Sequence, residues 1–155
     1  MELSGLIVGL GNPGREYEHT RHNFGFQTVQ ALLGRLEEVS RIDKLSKNQD
    51  RYLLWRAVKR DGSAWLLQLP LTFMNNSGEA VRRVVDYYGL ETEHILVVHD
   101  ELDLPLGRIK MKKAGGNAGH NGLKSIQQML GSPDFYRIRL GIGKPEKAAA
   151  VKEQY

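Results

Sequence analysis

Six side chains of this 155-residue chain have types suited to hydrolytic chemistry: His22, Asp100, His120 and the carboxamides of Asn12, Asn75 and Asn121. A histidine with a carboxylate from another loop is the minimum for general-base activation of water. The carboxylate holds the imidazole and stabilises its protonated form. Carboxamides both donate and accept, so they can stabilise an oxyanion and match the N–H and C=O groups of an amide. The chain has no cysteine and no Gly-x-Ser-x-Gly elbow, which leaves direct attack by water as the simpler mechanism. Each residue also has an ordinary reading. Asn12 can serve its own turn, Asn75 or Asn76 can cap a helix, and Asp100 can be a turn residue like Asp103. His99 reads as a packed core residue, and His19 and His94 as exposed ones.

The elements that must position these residues read as an α/β chain. Leu6-Ile7-Val8 predicts a buried strand, and the turn Gly9–Gly14 then leads to His22 at the start of a helix over 22–36. Phe26, Val29, Leu33 and Leu36 form the apolar face of that helix. Residues 37–51 read as a polar surface connection. Tyr52–Val58 and 63–69 flank Asp61-Gly62, a hairpin signal, and Asn76 with Glu79 predicts a cap for the next helix, ended by Gly89. Ile95–His99 reads as a central strand. Residues 108–113 read as a half-exposed strand with Ile109 and Met111 inward. A third helix carries Leu123, Ile126, Met129 and Leu130, and 136–142 closes as a strand with Arg137 and Arg139 on one face. Strands alternating with helices, with one hairpin, imply a single α/β domain over 1–155 with a mixed, partly parallel sheet between helices. A polar turn at the end of a strand falls on the sheet edge where such proteins bind ligands.

Composition narrows the partners. No run approaches the ~18 apolar residues of a membrane span, the acidic N-terminus is unlike a signal peptide, and the absence of cysteine suits the cytosol. Residues 108–155 hold 10 Lys/Arg against 3 Asp/Glu, whereas 1–107 hold 12 against 15. That basic C-terminal third fits a polyanionic partner such as nucleic acid. Gly9-x-Gly11-x-x-Gly14 formally matches a dinucleotide fingerprint, but the chain runs on through 15–20 before helical periodicity begins, and Glu37 and Glu38 follow an expected helix rather than a second strand. His19-x-x-His22 with Asp100 lacks a third histidine or cysteine for a metal.

Four ordered blocks then carry a resemblance: GLGNPGxxYxxTRHNxGF, LxxPxTFMNxSG, HDELDLPxGxxKxKxxGGxxGHNGLKS and FxRxRxGIGxP, running from residue 6 to about 145. They resemble bacterial peptidyl-tRNA hydrolase. The resemblance implies a monomeric α/β fold and cleavage of the ester joining a peptide to the 3′ ribose of tRNA, without cofactor or metal. It implies that His22 is the general base, that Asp100 orients it, and that Asn12, Asn75 and Asn121 hold the peptide and the reacting carbonyl. His120 lines the site, and Tyr17, Asn23 and Met74 are pocket contacts. Lys112 and Arg139 match a basic pair that grips tRNA phosphate near its 5′ end. Two departures accompany the match. Asn117-Ala118 stand where the family commonly has His-Gly, and the family usually continues past Tyr155 into a further segment with a helix flanking the site. The alternative function is an RNA-binding protein on the same scaffold with dispensable catalysis, as in related plant organelle splicing factors. Retention of His22, Asp100 and all three asparagines favours the enzyme.

Overall fold

The computed structural model describes residues 3–12, 23–117 and 119–143. Seven strands form one sheet: β1 (Leu3–Gly9), β2 (Arg41–Lys44), β3 (Tyr52–Val58), β4 (Ala64–Pro70), β5 (Ile95–Glu101), β6 (Ile109–Lys113) and β7 (Tyr136–Gly141). Their order is β2-β3-β4-β1-β5-β7-β6. The inner four, β4, β1, β5 and β7, are parallel, and antiparallel strands complete both sides. The expected mixed α/β sheet is therefore present, with β5 internal.

The helices are α1 (Phe24–Leu36), α2 (Ser77–Tyr88) and α3 (Asn121–Leu130). They divide between two cores. Val29 and Leu33 of α1 pack with Leu67, Val98 and Leu140 on one face of the sheet. Val81 and Val84 of α2 and Ile126 of α3 pack with Leu6, Leu66 and Val97 on the other. Alternate residues of β4 and β5 thus feed opposite cores, as the two-residue period of a strand requires. Full burial of each such aliphatic side chain contributes about 1.5–3 kcal/mol.

Three expectations are corrected, and one is sharpened. Residues 37–51 contain β2, a short charged strand paired antiparallel with β3 at the sheet edge; its polar composition conceals it because one side faces no neighbouring strand. Ile109 and Met111 are 68% and 65% exposed rather than inward. They point to the α1 side of the sheet, but α1 packs mainly on β1, β4 and β5, away from this edge. Asn76 occupies the position before α2 without a side-chain capping bond; the local bond is instead from Ser77 Oγ to the Met74 carbonyl, 2.8 Å. Arg137 shares a face with Arg139 but is buried, donating to the carbonyls of Pro133 and Phe135 at 3.1 and 3.0 Å. Its guanidinium also lies 4.0 Å from the Phe135 ring, so its role is internal.

Candidate active site and basic cleft

The carboxyl ends of the parallel strands collect the candidate residues. Asn12 follows β1, Met74 and Asn75 follow β4 in a 3-10 turn, and Asp100 lies one residue before the end of β5. Ligand sites of open α/β sheets form at this edge because the following loops are free to vary above a rigid scaffold. His22 and Tyr17 lie outside the described residues.

The loop after β1 is pinned on both sides. Leu10 N–H donates to the Val98 carbonyl of β5, 3.0 Å. Asn23, just ahead of α1, accepts from Asn12 N–H at 2.7 Å and donates through Nδ2 to the Asn12 carbonyl at 3.0 Å. Asn23 is only 3% exposed. Its carboxamide is therefore engaged by Asn12 backbone, which holds the turn against the start of the helix.

The loop before α3 meets this assembly at Gly122. A Cβ there would lie 2.7 Å from Met74 Sδ, 2.8 Å from Leu10 Cδ1 and 3.1 Å from His120 Cε1. The loops after β1 and β4 thus close onto the start of α3, and any larger residue at 122 would have to displace the Met74 and Leu10 side chains. Met74 is buried in this junction, while Asn75 and Asn121 are exposed above it.

His120 links the junction to β5. Its Nδ1 accepts from the Gly122 and Leu123 N–H groups, at 3.1 and 3.3 Å, and so caps α3. That acceptor role puts the ring proton on Nε2, which donates to Asp100 Oδ1 at 3.1 Å. Both ring nitrogens of His120 are thus used within the protein. Asp100 is 4% exposed. Beside it the His99 ring stands edge-on to His120, centroids 4.9 Å apart, and its Nδ1–H donates to the Asp100 carbonyl at 2.7 Å. Burial, and after it the neighbouring His120, push the His99 imidazole down to about 4, so it is neutral at physiological pH.

A second constellation lies one strand over. His99, Glu101, Lys112, Gly116, Arg137 and Arg139 line a small cleft between β5, β7 and β6. The register His99↔Arg139 and Lys112↔Arg137 puts these side chains on the α3 side of the sheet. Lys112 and Arg139, far apart in sequence, are therefore brought together. Arg139 Nε donates to Glu101 Oε1 at 3.1 Å. Sequence reasoning misses Glu101, which reads only as part of an acidic turn; the available signal is its two-residue step from His99, which puts both on one strand face.

Among the described residues, no three His, Cys, Asp or Glu side chains cluster as a metal site, and no helix is long and apolar enough to cross a membrane. Against known proteins, the family model described as Peptidyl-tRNA hydrolase matches residues 6–155. A peptidyl-tRNA hydrolase of Nitratidesulfovibrio vulgaris strain DP4 is 57% identical over 148 residues, covering 94% of this chain and 74% of that one. That of Neisseria meningitidis serogroup C is 52% identical over 140 residues, covering 90% and 70%. The crystal structure of peptidyl-tRNA hydrolase from Acinetobacter baumannii superposes with a TM-score of 0.84 at 40% identity, over 97% of this chain and 75% of that one.

Proposed function

Because this chain belongs to the peptidyl-tRNA hydrolase family, we propose that its sheet edge carries out the family's ester hydrolysis with His22 as general base. The substrate is a peptide esterified to the 3′ ribose of tRNA; the products are the free peptide acid and tRNA. The observation that carries the site assignment is the buried Asp100 carboxylate, bonded to His120 where three loops converge.

His22 immediately precedes Asn23 in the chain, and Asn23 is clamped to Asn12. That adjacency supports an imidazole beside the first loop. His22 removes a proton from water as the oxygen attacks the ester carbonyl, and Asp100 stabilises the resulting imidazolium. A carboxylate accepts from more than one donor, so holding His120 is compatible with orienting His22. Asn12, Asn75 and Asn121 donate to the oxyanion and to the peptide backbone. Collapse expels the ribose oxygen, which takes the proton back from His22, leaving the histidine neutral for the next turnover. Tyr17 and Met74 shape the pocket, and Asn23 and His120 fix Asn12 and Asp100.

The amide-matching site favours an N-blocked substrate, since a free aminoacyl ester brings a cation that would be desolvated without a partner. Lys112 and Arg139 grip tRNA phosphate near the 5′ end, a contact that carries no base information and suits many tRNAs. The protein works in the cytosol as a monomer, without a metal ion. The test is hydrolysis of N-acetyl-aminoacyl-tRNA with and without EDTA. Turnover independent of EDTA, and much slower on the unblocked ester, is expected; turnover abolished by EDTA would overturn the metal-free mechanism.

A further inference from the structure

Glu101 is a buried acid in the phosphate cleft, and the reaction gives it no task. It is 7% exposed, its Oε1 receives Arg139 Nε at 3.1 Å, and its Oε2 receives the Asp103 N–H at 3.3 Å. The Asp103 bond closes a local turn, so the carboxylate is fixed from the chain that carries it. An arginine held through Nε keeps its two terminal nitrogens on the far side of the guanidinium, and these form the fork that matches phosphate oxygens. The Arg139 side chain remains 22% exposed, so its outer edge is accessible.

The opposite jaw is Lys112. Lys112 lies folded over Gly115, where a Cβ would come 2.5 Å from its Cε and 2.7 Å from its Nζ. Gly115 has φ +100°, a conformation that glycine adopts without strain. The lysine thus packs on the bare backbone of Gly115 at the edge of the cleft.

We propose that Glu101 is a positioning residue for tRNA binding: it holds the Arg139 guanidinium so that, with Lys112, it meets a terminal phosphate already oriented. This deepens, and rests on, the reading of Lys112 and Arg139 as the phosphate grip. A free arginine loses rotamer freedom when it binds; one ordered during folding does not lose it again. The carboxylate also limits the cleft's positive charge. Lys112, Arg137 and Arg139 against Glu101 leave two net positive charges, which complement a terminal phosphate of about −1.5 to −2 at neutral pH.

The experiment compares two acceptor-stem RNAs carrying the same N-acetyl-aminoacyl ester, one with a 5′ phosphate and one with a 5′ hydroxyl. Steady-state KM and kcat are measured for wild type, R139A, E101A, E101Q and R139K. Wild type prefers the 5′-phosphorylated substrate in KM, and R139A loses that preference. E101A raises KM for the phosphorylated substrate by about 3- to 10-fold, the scale of immobilising one long side chain. KM for the hydroxyl substrate reports whether the folded protein is otherwise intact. E101Q, which still accepts from Nε, restores the preference. R139K keeps the charge but lacks the held fork, and behaves like E101A without disturbing a buried acid. If R139A abolishes the preference while E101A and R139K retain it, the positioning role is wrong and the phosphate grip stands. If wild type itself shows no preference, the grip falls and this inference with it.

Discussion

Asp100 and Glu101 are adjacent carboxylates at the end of β5, both buried, and the strand's alternation gives them different partners. Asp100 receives an imidazole N–H from His120, a neutral donor. Glu101 receives an arginine, a full cation. The same functional group therefore meets two different partners one residue apart. Asp100 sits beside His99 and His120, where on the proposed reading it would answer a positive charge that develops on a base. In the basic cleft the carboxylate holds the Arg139 guanidinium, which on the proposed reading orients a cation for a phosphate. On that reading, one strand would tie the reacting ester to the grip on the tRNA.

Substitutions separate the two jobs. Asp100→Asn keeps the shape and an acceptor for His120 but removes the charge; kcat is expected to fall by about two orders of magnitude, within the usual range for acid–base catalysis, with little change in KM. A fall confined to KM would move Asp100 to the binding side. Replacing Lys112 and Arg139 together by alanine should do the reverse. KM for tRNA should rise about tenfold, and the slope of log KM against log salt should drop by about two, because each side chain neutralises one phosphate. An unchanged salt slope would remove both residues from the RNA surface.

His99 separates the two sites and gives a stability signature. Its pKa is depressed on folding to about 4 from 6.5, so the unfolded chain binds more protons between these values. Its contribution is complete above about pH 6.5 and is lost as pH falls toward 4, about 3 kcal/mol in all on an order-of-magnitude basis. Denaturant titrations at pH 7.5 and pH 4.5 should differ in this sense, and His99→Gln should flatten the difference. Stability that rises on acidification would contradict the buried neutral ring. The smallest effect is expected from Asn23→Ala, which removes both bonds to Asn12 backbone. It should cost about 1–3 kcal/mol and slow turnover several-fold; unaltered kinetics would show that Asn12 needs no clamp.

The half of this comparison that is legible in the sequence is the catalytic one. Asn12, Asp100, His120 and Asn121 lie in or beside polar turns next to strongly apolar strands, and those strands and helices form close to where the patterns predict them. The paired strands 52–58 and 64–70 around Asp61-Gly62 are the plainest case, with Gly62 at φ +88°. The RNA half is less legible because it depends on which strands become neighbours. The Arg139–Glu101 ion pair exists because β5 and β7 pair with His99 opposite Arg139, and no local pattern encodes that register. Burial of Arg137 likewise depends on carbonyls from the 133–135 turn. The alternation in β6 identifies a strand but misleads about its burial, because periodicity reports that two faces differ and not whether a helix covers either one. Asn23 is a subtler case. The resemblance implies a pocket contact, and only the folded chain reveals that its amide also clamps Asn12.

The central claim, an imidazole base acting at the Asp100 end of the sheet, is tested most directly by turnover of N-acetyl-aminoacyl-tRNA by His22→Ala beside the wild type. A loss of about two to four orders of magnitude in kcat, with tRNA affinity and melting temperature preserved, is the predicted result. Full activity in that variant would contradict the account, leaving the basic cleft as an RNA-binding surface and the reacting base unassigned.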